Sequence, residues 1–361
     1  MIDTQFFSEE CIDDVVALVH KCGLSTSSEY LRTHLLLNPS LSVSDRFPAG
    51  IVIYEEDKCI AFQGLVFRRL FFKEKAVWGC EGSVLAIDKA YSYAVGELIE
   101  NIMKPYGESI YYGNTCIPQT VRLLKVAGMR SLGPRSCEVI SFFVLRWGDF
   151  LRVLLKKQGV EMPSLVRATA NIVGYVLNAG FYQRLRSKTK AEKRTHFDAE
   201  DFDQFWRDYL HGSDGVATSR TSAELKWLFE EGLLSGRFVL LVRKIEEHIV
   251  GYVVLKQHRA ETGFRWMVAD WIALNNDSDV LHDLLLDARR FAAITGAFCL
   301  EITGFPMRIQ PTVRSCFPFV RKALGNTFAY KLFDDLLREA LLETPDKGWF
   351  WGPMDGDRCV N

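Results

Sequence analysis

Hydrophobic and polar positions along the first 145 residues switch between two periods. Ile12–His20 carries apolar residues at helical spacing, and Glu29–Leu37 continues as a second helix that ends at Asn38-Pro39. Three apolar runs rich in β-branched and aromatic residues follow: Gly50–Tyr54, Cys59–Arg68 and Lys75–Ile87. They predict strands, the first two joined by a hairpin turn at Glu55-Glu56-Asp57-Lys58. Helical spacing returns over Val95–Lys104, closed by Pro105 and Gly107. Ser109–Tyr112 then reads as a strand, Pro118–Ala127 as a helix and Glu138–Leu145 as a closing strand.

The second half repeats this order. Phe202–Tyr209 and Ala223–Glu231 read as helices, and Phe238–Arg243 and Val250–Gln257 as a hairpin around Glu246-Glu247. Met267–Leu274 is the next strand, Val280–Ile294 a helix ending at Gly296, and Phe298–Thr303 a further strand. The likeness between halves lies in element order more than in residue identity. Several strands precede one strand–helix–strand crossover in each half. That order implies an α+β fold, with mixed, mostly antiparallel sheets flanked by helices.

Residues 148–197 differ from both halves. Leu165, Ala168, Ile172, Val176 and Ala179 recur at helical spacing, and Gln183–Arg194 then carries six positive charges against Glu192. The expected organisation is a first domain over 1–147, a helical basic connector over 148–197 and a second domain over 198–361. The connector reads as a helix leading into a solvated linker. A second reading lays 163–194 on an anionic membrane surface.

Composition narrows the function. The 361 residues hold 44 Lys and Arg against 45 Asp and Glu, a balance that argues against a dedicated nucleic-acid binder. The nine cysteines show no Cys-x-x-Cys pair and no His at metal-ligand spacing, so reduced thiols and no metal site are expected. The acidic N-terminus lacks the basic start of a signal peptide, and no apolar run reaches the ~18 residues that span a bilayer. A cytoplasmic protein is expected. No Gly-x-Ser-x-Gly elbow or phosphate-binding P-loop is present, and the histidines form no catalytic group.

The stretch SVLAIDKAYSYAVGELIENIMK resembles the signature of the GNAT acyltransferases, in which a strand ends in a Q/R-x-x-G-x-G/A loop and a helix follows directly. Backbone N–H groups at such a helix start suit the pyrophosphate of coenzyme A, and small residues let the backbone come close. The six loop positions here are Tyr91, Ser92, Tyr93, Ala94, Val95 and Gly96, so Tyr91 replaces the leading Gln or Arg and Ala94 the first Gly. The resemblance implies that Val84, Leu85 and Ala86 offer backbone groups to the pantetheine arm and the thioester oxygen. Asn114, on the next strand, joins the expected cofactor-binding set.

YYGNTCIPQTVRLLKVAGM is similar to the family's second strand and helix, with Leu124 where many members place a Tyr general acid. Acyl transfer to an amine needs a group to take the amine proton. The resemblance implies Glu81, on the central strand where family members often carry a catalytic Glu, as the expected base, with Asp270 and Asp355 as further carboxylates. The second half has Asn275-Asn276-Asp277-Ser278-Asp279 at the equivalent loop, where two carboxylates repel phosphate. One CoA site, in the first half, is therefore expected.

EYLRTHLLLNP, FDAEDFDQFW, RTSAELKWLFEE and VGYVVL extend the resemblance to tandem GNAT-like proteins of bacterial polysaccharide gene clusters. It implies acyl transfer from acyl-CoA, such as acetyl-CoA, to an amine in a ternary complex. An amino sugar or nucleotide-linked amino sugar of surface glycan synthesis is the expected acceptor. The tail adds Trp349, Trp351 and Asp357 as candidate sugar contacts, rings for the sugar face and carboxylates for hydroxyls or an ammonium. Two alternatives stay open: a Fem-like transferase using aminoacyl-tRNA, and a non-catalytic binding protein that kept the fold. The sequence leaves the oligomeric state open.

Overall fold

The computed structural model describes residues 2–72, 75–116, 118–132, 139–184, 190–213, 215–260, 263–303, 309–323, 327–335, 337–338 and 349–350. The chain forms two compact units that are not contiguous in sequence. The first comprises Met1–Pro134, Asp214–Leu228 and Gly325–Asn361, and the second Arg135–Ser213 and Phe229–Leu324.

The first unit starts with β1 (Ile2–Phe6), α1 (Ile12–Lys21) and α2 (Ser28–Tyr30), which continues as a π-helical turn over Leu31–Leu36. β2 (Gly50–Glu55), β3 (Lys58–Phe72) and β4 (Lys75–Ile87) form an antiparallel meander. α3 (Ala94–Ile102) crosses over to β5 (Ile110–Cys116), which runs parallel to β4. α4 (Pro118–Val126) and β6 (Arg130–Leu132) follow.

Two helical layers cover this sheet. Val15, Leu18 and Val19 of α1, with Leu31 and Leu35, pack with Val52, Phe62, Val66, Val84 and Ala86. Ala94, Leu98 and Ile102 of α3 pack with Ile51, Ala61, Leu65, Cys80 and Tyr111 in a second cluster. Along β3, Phe62 and Val66 join the first cluster and Ala61, Leu65 and Phe67 the second, as a period of two requires.

The second unit repeats the plan. It holds β7 (Val139–Val144), α5 (Trp147–Lys156), α6 (Ser164–Arg184), β8 (Glu192–Arg194) and α7 (Ala199–His211). β10 (Phe238–Ile245), β11 (His248–Ala260), β12 (Gly263–Ala273), α9 (Ser278–Ile294), β13 (Cys299–Ile302), α10 (Gln310–Ser315) and β14 (Val320–Ala323) complete it. β9 (Val216–Thr218) belongs to the first unit, and α8 (Ser222–Leu234) begins there and ends in the second. The hairpin turns fall where the polar pairs suggested, with positive φ at Glu56 (55°), Glu246 (49°) and Glu247 (70°).

Strand order departs from a simple tandem. β7 is not the closing strand of the first sheet. It pairs with β13 and β14 in the second, whose order is β14-β7-β13-β12-β11-β10-β8. The vacant place in the first sheet is taken by β15 (Thr327–Leu332), which pairs with β5 and β6. The first half thus gives β7 to the second sheet, and the second half gives β15 to the first, along with β9, which pairs with β3. Periodicity could not reveal this, because an apolar strand reads alike whichever sheet receives it. The boundary expected at 147 falls inside the second unit, and β8, the end of the expected connector, is an edge strand of its sheet.

Candidate active site

β4 and β5 pair at Gly79–Ile110, Cys80–Tyr111 and Glu81–Tyr112. Among the described residues the register pairs of β4 with β5 stop at Glu81 while those with β3 run on to Ile87, so the sheet opens between β4 and β5. A β-bulge lies on the opened stretch. Gln63 pairs with Leu85 and Gly64 with Ser83, so Val84 is the extra residue, at φ 45°. The Gln63 side-chain amide donates to the Ser83 carbonyl at 2.6 Å and to that of Gly64 at 3.0 Å. A buried side chain thereby satisfies carbonyl groups at the irregularity.

A Cβ on Gly82 would fall 2.2 Å from the Tyr111 hydroxyl. Glycine at 82 is what lets that hydroxyl lie against β4, on the α3 side. Glu81 shares the other face, with Val66 and Tyr112 as its register neighbours. It is only 4% exposed. The base expected from sequence thus stands at the apex of the opening.

The loop after β4 is held by Asp88, whose carboxylate takes the ammonium groups of Lys21 at 2.6 Å and Lys58 at 3.3 Å and the Ala90 N–H at 3.2 Å. The Lys21 hydrogen bond leads in pulling this carboxyl down to about 2. Lys58 also donates to the Tyr91 hydroxyl at 3.0 Å, and Tyr93 donates to Glu55. Ser92 accepts from the Val95 N–H at 3.3 Å through its carbonyl. α3 then begins at Ala94 behind Tyr93, with no side-chain cap. Gly96 lies in its first turn, and a Cβ there would meet nothing within 4 Å. Packing therefore places no demand for glycine at 96.

The matching loop of the second unit is closed. Asn275 and Asn276 adopt positive φ, and the Asp277 carboxylate accepts from the N–H groups of Asp279 at 2.8 Å and Val280 at 3.2 Å. The helix start that would meet a phosphate already holds a carboxylate. A bulge recurs there, with Val254 opposite Asp270 and Leu255 opposite Val268, and β12 pairs with β13 only at Trp266 and Met267. Asp270 is fully buried and accepts from the Tyr252 hydroxyl.

The first unit also buries polar residues that, Glu81 apart, the sequence reading missed. His34, Arg68, Glu81, Ser83, Tyr112, Arg220 and Glu224 are all buried within the first unit. The Tyr30 and Ser83 hydroxyls lie 3.2 Å apart. Trp227 stacks on His34 with ring centroids 5.4 Å apart and donates to the Thr33 carbonyl at 2.8 Å. Burial first, and the Arg68 charge second, press the His34 imidazole down to about 3, so it is neutral near pH 7. Arg220 donates to the carbonyl and hydroxyl of Thr218 at 2.9 and 2.7 Å. β9 brings it there by pairing with β3. The one available signal was Arg68, an arginine inside an apolar strand.

The other expected residues divide. Leu85 and Ala86 follow the bulge on the opened stretch of β4. Asn114 lies on β5, and its side chain is outside what is described. Trp349 belongs to a short strand, β16 (Trp349–Phe350), which pairs with β9. Trp351, Asp355 and Asp357 lie outside the described residues. Leu124 is buried in the α3-side core. Among the described residues, no group of His, Cys, Asp and Glu could hold a metal ion, and no helix is long and apolar enough to cross a membrane.

No family model matches the sequence, and neither does any curated protein. Solved structures do match the fold. N-myristoyltransferase of Saccharomyces cerevisiae with bound myristoyl-CoA superposes with a TM-score of 0.57 at 14% identity, over 92% of this chain and 82% of that one. A GCN5-related N-acetyltransferase of Kribbella flavida gives 0.56 at 14% identity, over 92% and 71%. One from Anabaena variabilis gives 0.52 at 12% identity, over 94% and 74%. The fold is thus the two-domain GNAT-like fold, with two mixed sheets flanked by helices.

Proposed function

We propose that the chain is an acyl-CoA-dependent N-acyltransferase whose donor site lies in the first unit. The observation that carries this reading is a conjunction. The sheet opens beyond Glu81, the backbone bulges at Val84 within the opening, and the following helix starts at Ala94 without a side-chain cap and carries in its first turn a glycine that packing does not require. Backbone amides at the start of α3 suit a pyrophosphate. The stretch of β4 past its last register pair with β5, over Val84, Leu85 and Ala86, suits a pantetheine arm. Similar folds with bound myristoyl-CoA support acyl-CoA as the donor.

The chemistry follows from the apex. A neutral amine attacks the thioester carbonyl, Glu81 accepts the proton the nitrogen sheds, and the carbon–sulfur bond breaks as the intermediate collapses. A thiolate with a pKa of roughly 8.5 is a modest leaving group. With Leu124 where the family often has Tyr, the Tyr111 hydroxyl beside Gly82 is the donor we assign to it.

We propose an amine acceptor, with an amino sugar as its class. Support for the sugar comes from the sequence resemblance and from the tail residues Trp351, Asp355 and Asp357. Replacing these three by Ala should raise the acceptor KM and leave donor binding unchanged. Thermal unfolding with acetyl-CoA tests the donor assignment first: ligand at 100 times its Kd stabilises by ~2.7 kcal/mol. An unmoved transition with acetyl-CoA and longer acyl-CoA esters removes it.

A further inference from the structure

α6 is built inside out. Its packed side is polar or small. Arg167 reaches Asp149 at 2.6 Å, and Asn171 accepts from the Gly148 N–H at 2.8 Å. Asn178 donates to the carbonyls of Val144 and Leu145 at 3.2 and 3.0 Å. Gly174 lies against the Trp147 ring, where a Cβ would fall 2.1 Å from it. The outward side carries Leu165, Val166, Ile172, Val173, Tyr175 and Val176, with Leu165 79% and Tyr175 74% exposed. A surface helix in water has the reverse arrangement.

The apolar side continues across α5. Trp147 and Leu151 join Leu165, Val166, Val173 and Leu177 around a groove of about 510 Å³. Charge is graded in the same region. Residues 150–191 contain Glu161 as their single carboxylate, with Arg152, Lys156, Lys157 and Lys190 among their cations. Yet the whole chain has a net charge of −1. An exposed apolar helix face on a cation-rich stretch of chain is complementary to a bilayer with anionic headgroups. A soluble partner or a second copy would meet the apolar face without needing the cations.

We infer that the α5–α6 hairpin docks the protein on an anionic membrane surface, with the outer face of α6 in the headgroup and acyl boundary. This inference does not rest on the acyltransferase reading.

The test is flotation of the full chain with vesicles of phosphatidylcholine alone and of phosphatidylcholine with phosphatidylglycerol. The chain should float with the anionic vesicles alone, and raising salt should weaken capture, since headgroup attraction is screened. Ile172→Glu with Val176→Glu, both on the exposed face, should cut capture on the order of tenfold or more while the fold is kept, as circular dichroism would report. Absence of wild-type capture by anionic vesicles overturns the inference. So does equal capture of the double variant, or a wild-type dimer that the variant converts to monomer, which would assign the face to a second copy.

Discussion

Glu81 and Tyr112 are the last register pair between β4 and β5, and past them the sheet is open. A carboxylate that is nearly solvent-free thus stands where two strands part, three residues before the bulge at Val84. Glu81→Gln keeps its shape and removes its basicity. We expect kcat/KM to fall by about 10²–10⁴, as for a lost general base. The deficit should shrink at high pH, where the amine is already neutral. Full activity at pH 7 would shift attention to Asp270 or Asp355.

Tyr111→Phe tests the leaving-group donor. Its hydroxyl lies over Gly82, so the ring can stay while the proton is lost. The variant should lose kcat for alkyl thioesters by about tenfold or more and regain it with donors whose thiols are more acidic. An equal loss for every thiol would show that the hydroxyl acts only through packing.

Gly96→Ala separates folding from donor binding. A Cβ has open space there, and Ala is the better helix residue by roughly 0.5–1 kcal/mol. The apo protein should melt higher, while affinity for acyl-CoA falls because a phosphate can no longer approach the backbone as closely. A higher melting point with unchanged affinity would mean that no phosphate rests on this turn.

Asp277→Ala is the complementary change. Losing the cap on α9 should cost about 1 kcal/mol of stability and leave acyl-CoA affinity within threefold. A large affinity loss would place the donor in the second unit.

Acid stability should report His34. Its imidazole is pressed from 6.5 down to about 3 in the fold, so between these values the unfolded chain binds the extra proton. Stability should therefore fall as pH drops from about 6.5 towards 3. Asp88, lowered from 3.8 to about 2, adds its loss only below about 4. Denaturant midpoints for His34→Gln should be flatter between pH 6.5 and 4 than for the wild type. Parallel curves would contradict the assignment.

Much of the fold was legible in the sequence because it rests on period. The strand runs of both halves and their turns at Glu56 and Glu246 are local signals. The exchange of β7 and β15 was not legible, since local pattern does not record which sheet an apolar strand joins. Glu81 and the Tyr91–Gly96 loop were singled out through the resemblance of their strand–loop–helix stretch to the GNAT signature. His34 and Arg68 interact from two separate segments, and Arg220 and Glu224 are buried on a third, and no spacing rule marks any of them. The Asn275–Asp279 loop showed its carboxylates, but the cap made by Asp277 needed geometry.

The central claim is that α3, and not α9, receives the pyrophosphate of an acyl-CoA. Calorimetric titration of acetyl-CoA into the wild type, Gly96→Asp and Asp277→Ala tests it most directly. One site per chain is predicted for the wild type and for Asp277→Ala, and none for a folded Gly96→Asp, whose carboxylate repels the phosphates. Undiminished binding by Gly96→Asp, or its loss in Asp277→Ala alone, would contradict the account.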